Sequence, residues 1–229
     1  MVLWCLLLTG CASQGREVSV FVASSMTDFI QQVSSAQIAA SPGSAIELNI
    51  AGSGTLLAQL DEGAEADVVI LAGSEYMRRL QALGSYRPPV YFASTSLSLI
   101  VAPALTRNNI SMQDLKGGHL QGAACVRSSP CGQLAANFAK SIGLDLKSFT
   151  REPNVKSVLA KVERGEVDFG FVYRTDFLSS RAKGAEIGDS GTERFVTFYS
   201  LAVARDASNM ADVSSLIESI TGPSGSGKS

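Results

Sequence analysis

The chain is poor in aromatics, histidine and cysteine, and it has no excess of charge of either sign. Of 229 residues, 7% are aromatic, one is histidine and four are cysteine, and the formal net charge is −2. So even a balance provides no basic field for nucleic acid. The single histidine, His119, has no nucleophile motif beside it and reads as a capped or surface residue rather than part of a triad. No apolar run reaches the roughly 20 residues that a membrane-spanning helix needs. No carboxylate pair stands at a spacing recognisable for acid–base work, and Asp67 and Asp176, at strand and helix ends, read as caps or hinge contacts. An enzyme is not expected.

What is present begins with export. Met1–Leu8 is a short apolar run of signal-peptide type. Leu8-Thr9-Gly10-Cys11 resembles the bacterial lipoprotein signal, in which the cysteine is lipidated and becomes the mature N-terminus. Residues 1–17 are therefore read as signal and tether, with Cys11 the lipidation site, an ordinary secretion signal being the alternative. No Lys or Arg precedes the apolar run, which leaves room for a start further upstream. With Cys5 and Cys11 in this segment, Cys125 and Cys131 remain for the mature domain. Outside the cytoplasm, two cysteines six positions apart read as a disulfide closing a small loop. Zinc is the rival, but it calls for about four ligands. The disulfide is expected.

Hydrophobic patterning gives alternating strands and helices. Val18, Val20 and Val22 alternate as in a strand, and Phe29, Ile30 and Val33 recur at helical spacing. Between them lies Ala23-Ser24-Ser25-Met26-Thr27, small hydroxyl residues at a strand-to-helix junction. Glu47–Ile50, then Ala51-Gly52-Ser53-Gly54-Thr55, then Leu56, Leu57 and Leu60 repeat that arrangement. Further strands are expected at 66–71, 97–102, 122–125 and 167–173, with an extended segment at 195–204. Helices are expected around 76–83, 134–142, 155–162 (capped by Asn154) and 210–220. This alternation predicts an α/β fold with mainly parallel sheets. In such sheets ligands bind beyond the carboxyl ends of strands, where helices begin. Loops at Ser25, Ser53, Cys131 and Val155 meet that description. Unpaired N–H groups of a first helical turn suit an anion, and small residues let it approach.

Gly222–Ser229 matches the phosphate-loop pattern G-x-x-x-x-G-K-[ST]. That motif works between a buried strand and a helix start. Here it follows an amphipathic helix, so a nucleotide-binding enzyme is only a remote alternative to a polar tail or a chain cut short.

Taken in order, Ala23–Thr27, Ala51–Leu56, Gly63–Val68, Val162–Glu166 and Gly170–Asp176 resemble the motifs of the periplasmic molybdate-binding proteins of ABC importers. The resemblance runs from about Val18 to Ile220. It implies a two-lobed periplasmic-binding-protein fold: residues 18–95 plus 200–229 in lobe 1, 96–199 in lobe 2, and a tetrahedral oxyanion in the cleft. Carried over by motif, Ser25 and Ser53 would each give a hydroxyl and a backbone N–H. Cys131 and Val155 would give backbone N–H groups, and Tyr173 its phenol. Ser129-Pro130-Cys131-Gly132 stands where the family often has Val-Pro-Ala-Gly, and a backbone donor survives that change. The Cys125–Cys131 bridge would hold this loop. The resemblance further implies a monomeric receptor for molybdate or tungstate, working with the membrane permease of an importer. It would be periplasmic or cell-surface, touching the membrane only through the lipid anchor, with no cofactor, no bound metal cation and no nucleic acid.

The donor chemistry agrees with that expectation. Molybdate, tungstate and sulfate at neutral pH accept hydrogen bonds and donate none, and the five positions can all supply donors. Hydrogen phosphate must donate, and with no acceptor it would lose about 1–3 kcal/mol. A receptor of the same fold for sulfate is the alternative, separated by cavity size. Arg127 lies near the third loop and reads as a solvated loop arginine.

Overall fold

A computed structural model describes residues 17–106, 110–180, 184–188 and 190–222. Cys11 and the tail from Pro223 therefore lie outside the described residues.

Three parallel strands open the chain: β1 (Val18–Ala23), β2 (Ile46–Ala51) and β3 (Val68–Ala72), with β1 central. All five residues of β3 are buried, as the unbroken apolar run requires of a strand covered on both faces. Helices α1 (Thr27–Ala40), α2 (Ser53–Asp61) and α3 (Ser74–Ala82) follow these strands in turn. Strand β4 (Val90–Val101) then carries the chain onward. The second half comprises α4 (Met112–Lys116), β5 (Gly122–Cys125), α5 (Pro130–Ile142), β6 (Thr150–Glu152), α6 (Val155–Glu163), β7 (Phe169–Tyr173), α7 (Arg174–Ser179) and β8 (Ala185–Glu186). Strand β9 (Val196–Val203) and helix α8 (Met210–Thr221) return to the first half.

The strand order β2-β1-β3-β9-β4-β7-β5-β6, with β8 also on β4, divides at β4. Its first part, through Ser96, pairs antiparallel with β9, and from Leu97 it pairs antiparallel with β7. Two α/β lobes result. In each, three parallel strands are joined by an antiparallel strand, because the chain that passes between lobes must run back against them. The cores are separate. Val20, Ile70, Leu201, Ile30 and Leu216 belong to one lobe, and Leu99, Ala124, Phe138 and Phe171 to the other. Phe138 meets Phe171 and Phe195 edge-to-face, with centroids 5.6 and 5.5 Å apart, and its truncation to alanine costs about 3–5 kcal/mol.

The expected elements are present, with additions. β4 begins at Val90 rather than near residue 97, and exposed Val90 and Tyr91 with a run of hydroxyls in its first half mask the strand periodicity there. Short α4, α7, β6 and β8 offer too few residues for a period to show. Cys125 and Cys131 form the expected disulfide, with Cα atoms 5.8 Å apart.

Candidate oxyanion site

Four chain junctions meet between the lobes. Ser25 lies in a 3-10 turn (Ser24–Met26) after β1, and Ser53 is the first residue of α2. Cys131 is the second residue of α5, and Val155 the first of α6. All four, with Tyr173 at the end of β7, line one cavity. None of its twelve lining residues is Lys, Arg, His, Asp or Glu. As the lobes stand, the space is about 10 Å³, the scale of one water-sized molecule.

The caps select which donors face inward. At α5, Pro130 has no N–H, and Ser129 Oγ takes the Gly132 N–H at 3.3 Å. At α6, Asn154 Oδ1 takes the Ser157 N–H at 3.0 Å. Each cap claims the third N–H of its turn and leaves Cys131 and Val155 without an intrahelical acceptor. At α2, the cap position is Gly52 and there is no side-chain cap, so the turn beginning at Ser53 keeps its donors open.

The hydroxyls are oriented from behind. Ser53 Oγ accepts the Ala72 N–H at 3.0 Å, and Ser25 Oγ accepts the Tyr199 hydroxyl at 2.9 Å. With an acceptor lone pair used in this way, each serine retains its own proton to donate. The Tyr173 hydroxyl is buried and makes no hydrogen bond, although Thr197 lies beside it. Burial, with smaller contributions from Tyr199 and Asp176, holds this phenol well above its ordinary pKa, so it remains protonated and a donor. Burial raises Tyr199 likewise, with Asp176 adding to the shift. Tyr199 was not singled out from the sequence, since one tyrosine in an extended segment carries no motif.

The lobes touch closely around the cavity. A Cβ on Gly52 would stand 2.8 Å from the Pro153 carbonyl oxygen, and one on Gly54 would stand 2.3 Å from that of Ser128. Only glycine permits this approach. Tyr76 donates to the Ser128 carbonyl at 2.7 Å and accepts from Gln133 Nε2 at 3.0 Å. Arg127 and His119 are exposed and do not line the cavity. Asp67 is a structural tie, accepting from the backbone N–H groups of Ser19 and Ser208 at 2.9 and 3.2 Å. The glycine-rich tail follows helix α8 rather than a strand.

Two α/β lobes joined by crossing strands, with open helix starts facing one another, define a receptor with a cleft for a small solute. The chain belongs to the bacterial extracellular solute-binding proteins, whose family model it matches over residues 18–227. It is 30% identical to the molybdate-binding protein ModA of Haemophilus influenzae, over 89% of this chain and 85% of that one. It is 29% identical to that of Mycobacterium bovis, over 94% and 83% respectively. In fold it is similar to the periplasmic molybdate-binding protein of Azotobacter vinelandii (TM-score 0.78, 18% identity, 91% of this chain and 94% of that one). A tungstate ABC transporter structure from Geobacter sulfurreducens also shares the fold (TM-score 0.67, 12% identity, 92% and 96%).

Proposed function

We propose that this protein captures molybdate, with tungstate as a second ligand, outside the cytoplasm and delivers it to an ABC importer. The observation that carries this reading is a cavity lined by Ser25, Ser53, Cys131, Val155 and Tyr173, with no carboxylate or imidazole among its lining residues. The names of the relatives at about 30% identity support molybdate as the particular anion. A dianion needs no formal counter-charge here, because helix-start dipoles and several N–H and O–H donors can hold it.

Ligand bridging both lobes stabilises the shut form, and the permease recognises that form, a population shift set by differential affinity. The partner change between Ser96 and Leu97 supports a first crossing near residue 96. The second is read nearer Val196, where β9 begins to pair with β4, than residue 200. Lipid attachment at Cys11 would tether the receptor beside its importer.

Calorimetric titration with molybdate, tungstate and sulfate separately tests the assignment. Tight binding of the first two with weak sulfate binding is expected. Equal sulfate affinity would make this a general oxyanion receptor.

A further inference from the structure

One ionisable cluster outside the cavity crosses between the lobes. Lys156, the second residue of α6, places Nζ 2.7 Å from Asp28 Oδ2 on α1 and 3.1 Å from Asp176 Oδ1 on α7. Asp28 and Lys156 thus belong to different lobes, and Lys156 and Asp176 to the same one. The exposures are graded: the Asp176 side chain is 0% exposed, that of Lys156 27% and that of Asp28 61%. Ser179 Oγ adds a hydrogen bond to Asp28 Oδ2 at 3.4 Å, again across the lobes. None of these residues lines the anion cavity.

The buried carboxylate has few partners. Both Asp176 carboxylate oxygens are buried without a hydrogen bond, so the Lys156 ammonium, ion-paired with Oδ1, is the group that compensates its charge. Burial raises the Asp176 carboxyl, Lys156 opposes the rise, and Asp28 adds slightly to it. Burial also works against the charge on Lys156, but Asp176 and Asp28 outweigh it and hold its pKa up. Lys156 is therefore fixed from behind by its own lobe and presents its ammonium to the other. When the lobes part, α1 and α6 separate, and the Asp28 contact is the one that breaks.

We propose that Lys156 is a positioning residue that latches the lobes shut: anchored by Asp176, it engages Asp28 on closure and sets oxyanion affinity without touching the anion. This rests on the receptor reading above. The competing role for a lysine beside an anion-binding helix start is that of counter-charge to the ligand. Two carboxylates facing one ammonium oppose that role, since the cluster then carries no surplus positive charge.

The two roles predict opposite signs for Asp28→Asn. A latch loses its catch, and molybdate affinity falls about three- to fivefold, the upper part of the range of an exposed ion pair. A counter-charge is relieved of a competitor, and affinity rises. Asp28 is exposed, so this variant should leave the fold intact. Lys156→Met should weaken binding about tenfold and Lys156→Arg should restore most of it. Adding Asp28→Asn to Lys156→Met should cost nothing more. Small-angle scattering on the ligand-free protein should show Asp28→Asn more open than the unaltered chain. Unchanged or tighter binding by Asp28→Asn, or independent losses in the double variant, would overturn the latch. Should no oxyanion bind at all, the receptor reading fails, while scattering still decides the latch.

Discussion

Two cavities in this protein sit at opposite ends of the same parallel strands and have opposite character. The cleft cavity, of about 10 Å³, lies where β1, β2 and β3 end, and it has no ionisable Asp, Glu, Lys, Arg or His in its lining. The other recess, of about 700 Å³, lies where those strands begin and is lined by Glu17, Glu47, Glu65, Asp67 and Asp206 among others. Volume would favour the second as a binding site, but physical chemistry favours the first for an anion. Carboxylates repel a dianion, whereas helix starts turn N–H donors toward it. Which end of the strand a residue occupies decides its role more than how much space surrounds it.

The comparison breaks first at the donors. Tyr173→Phe removes a buried hydroxyl that has only Thr197 beside it, and molybdate affinity should fall about 10- to 100-fold with little change in folding. Calorimetry and thermal unfolding on one preparation check both halves. Ser53→Ala should lose both, because it strands the Ala72 N–H as well. Gly54→Ala should weaken binding by about tenfold or more, since its Cβ would meet the Ser128 carbonyl only when the lobes are shut. The variant should melt near the parent temperature, which separates a closure defect from a folding defect.

A smaller loss is expected on replacing both Cys125 and Cys131 by alanine. The Cys131 N–H remains, but the loop it belongs to loses its covalent tie, so stability should fall by about 2 kcal/mol and affinity several-fold. Chemical denaturation and titration measure the two. Affinity unchanged alongside the stability loss would show that the caps alone hold the donor.

Asp176 sharpens the account through pH. Burial pushes its carboxyl up to about 7, against an ordinary 3.8, with Lys156 opposing and Asp28 adding; Tyr173 and Tyr199 face it as neutral phenols. A raised folded pKa means the folded protein binds the extra proton between those values. Stability from this group therefore declines as pH rises from about 4 to 7. The melting temperature of Asp176→Asn minus that of the parent should become more positive over that window. The smallest effect belongs to the acidic recess, where Glu47→Gln should alter molybdate affinity less than about twofold, because the charge is exposed and screened.

Much of this was readable in the sequence because the informative features are local. Small residues between a strand and a helix marked Ser25 and Ser53, and Asn154 was legible as a cap. The structure brings those serines together with Cys131, Val155 and Tyr173 along one cavity. What the sequence hid depends on contacts between distant residues. Tyr199 reaches Ser25 from 174 positions away, and Lys156 meets Asp28 across 128. The close approach of Gly54 to Ser128 exists only with both lobes in place. The first half of β4 was also missed, since its exposed apolar and hydroxyl residues show no alternation.

The central claim is that the cleft presents hydrogen-bond donors and has no carboxylate or imidazole to take a proton from the ligand, and competition by phosphate tests it most directly. Molybdate would be titrated into the protein alone and again with phosphate at about five times the molybdate Kd, near neutral pH. Hydrogen phosphate has a proton to place, and leaving it unpaired costs about 1–3 kcal/mol. The account predicts an apparent Kd shifted less than about twofold. A weakening of about sixfold, the value for phosphate held as tightly as molybdate, would mean that the cleft accepts a hydrogen bond from the ligand without that cost, and would contradict it.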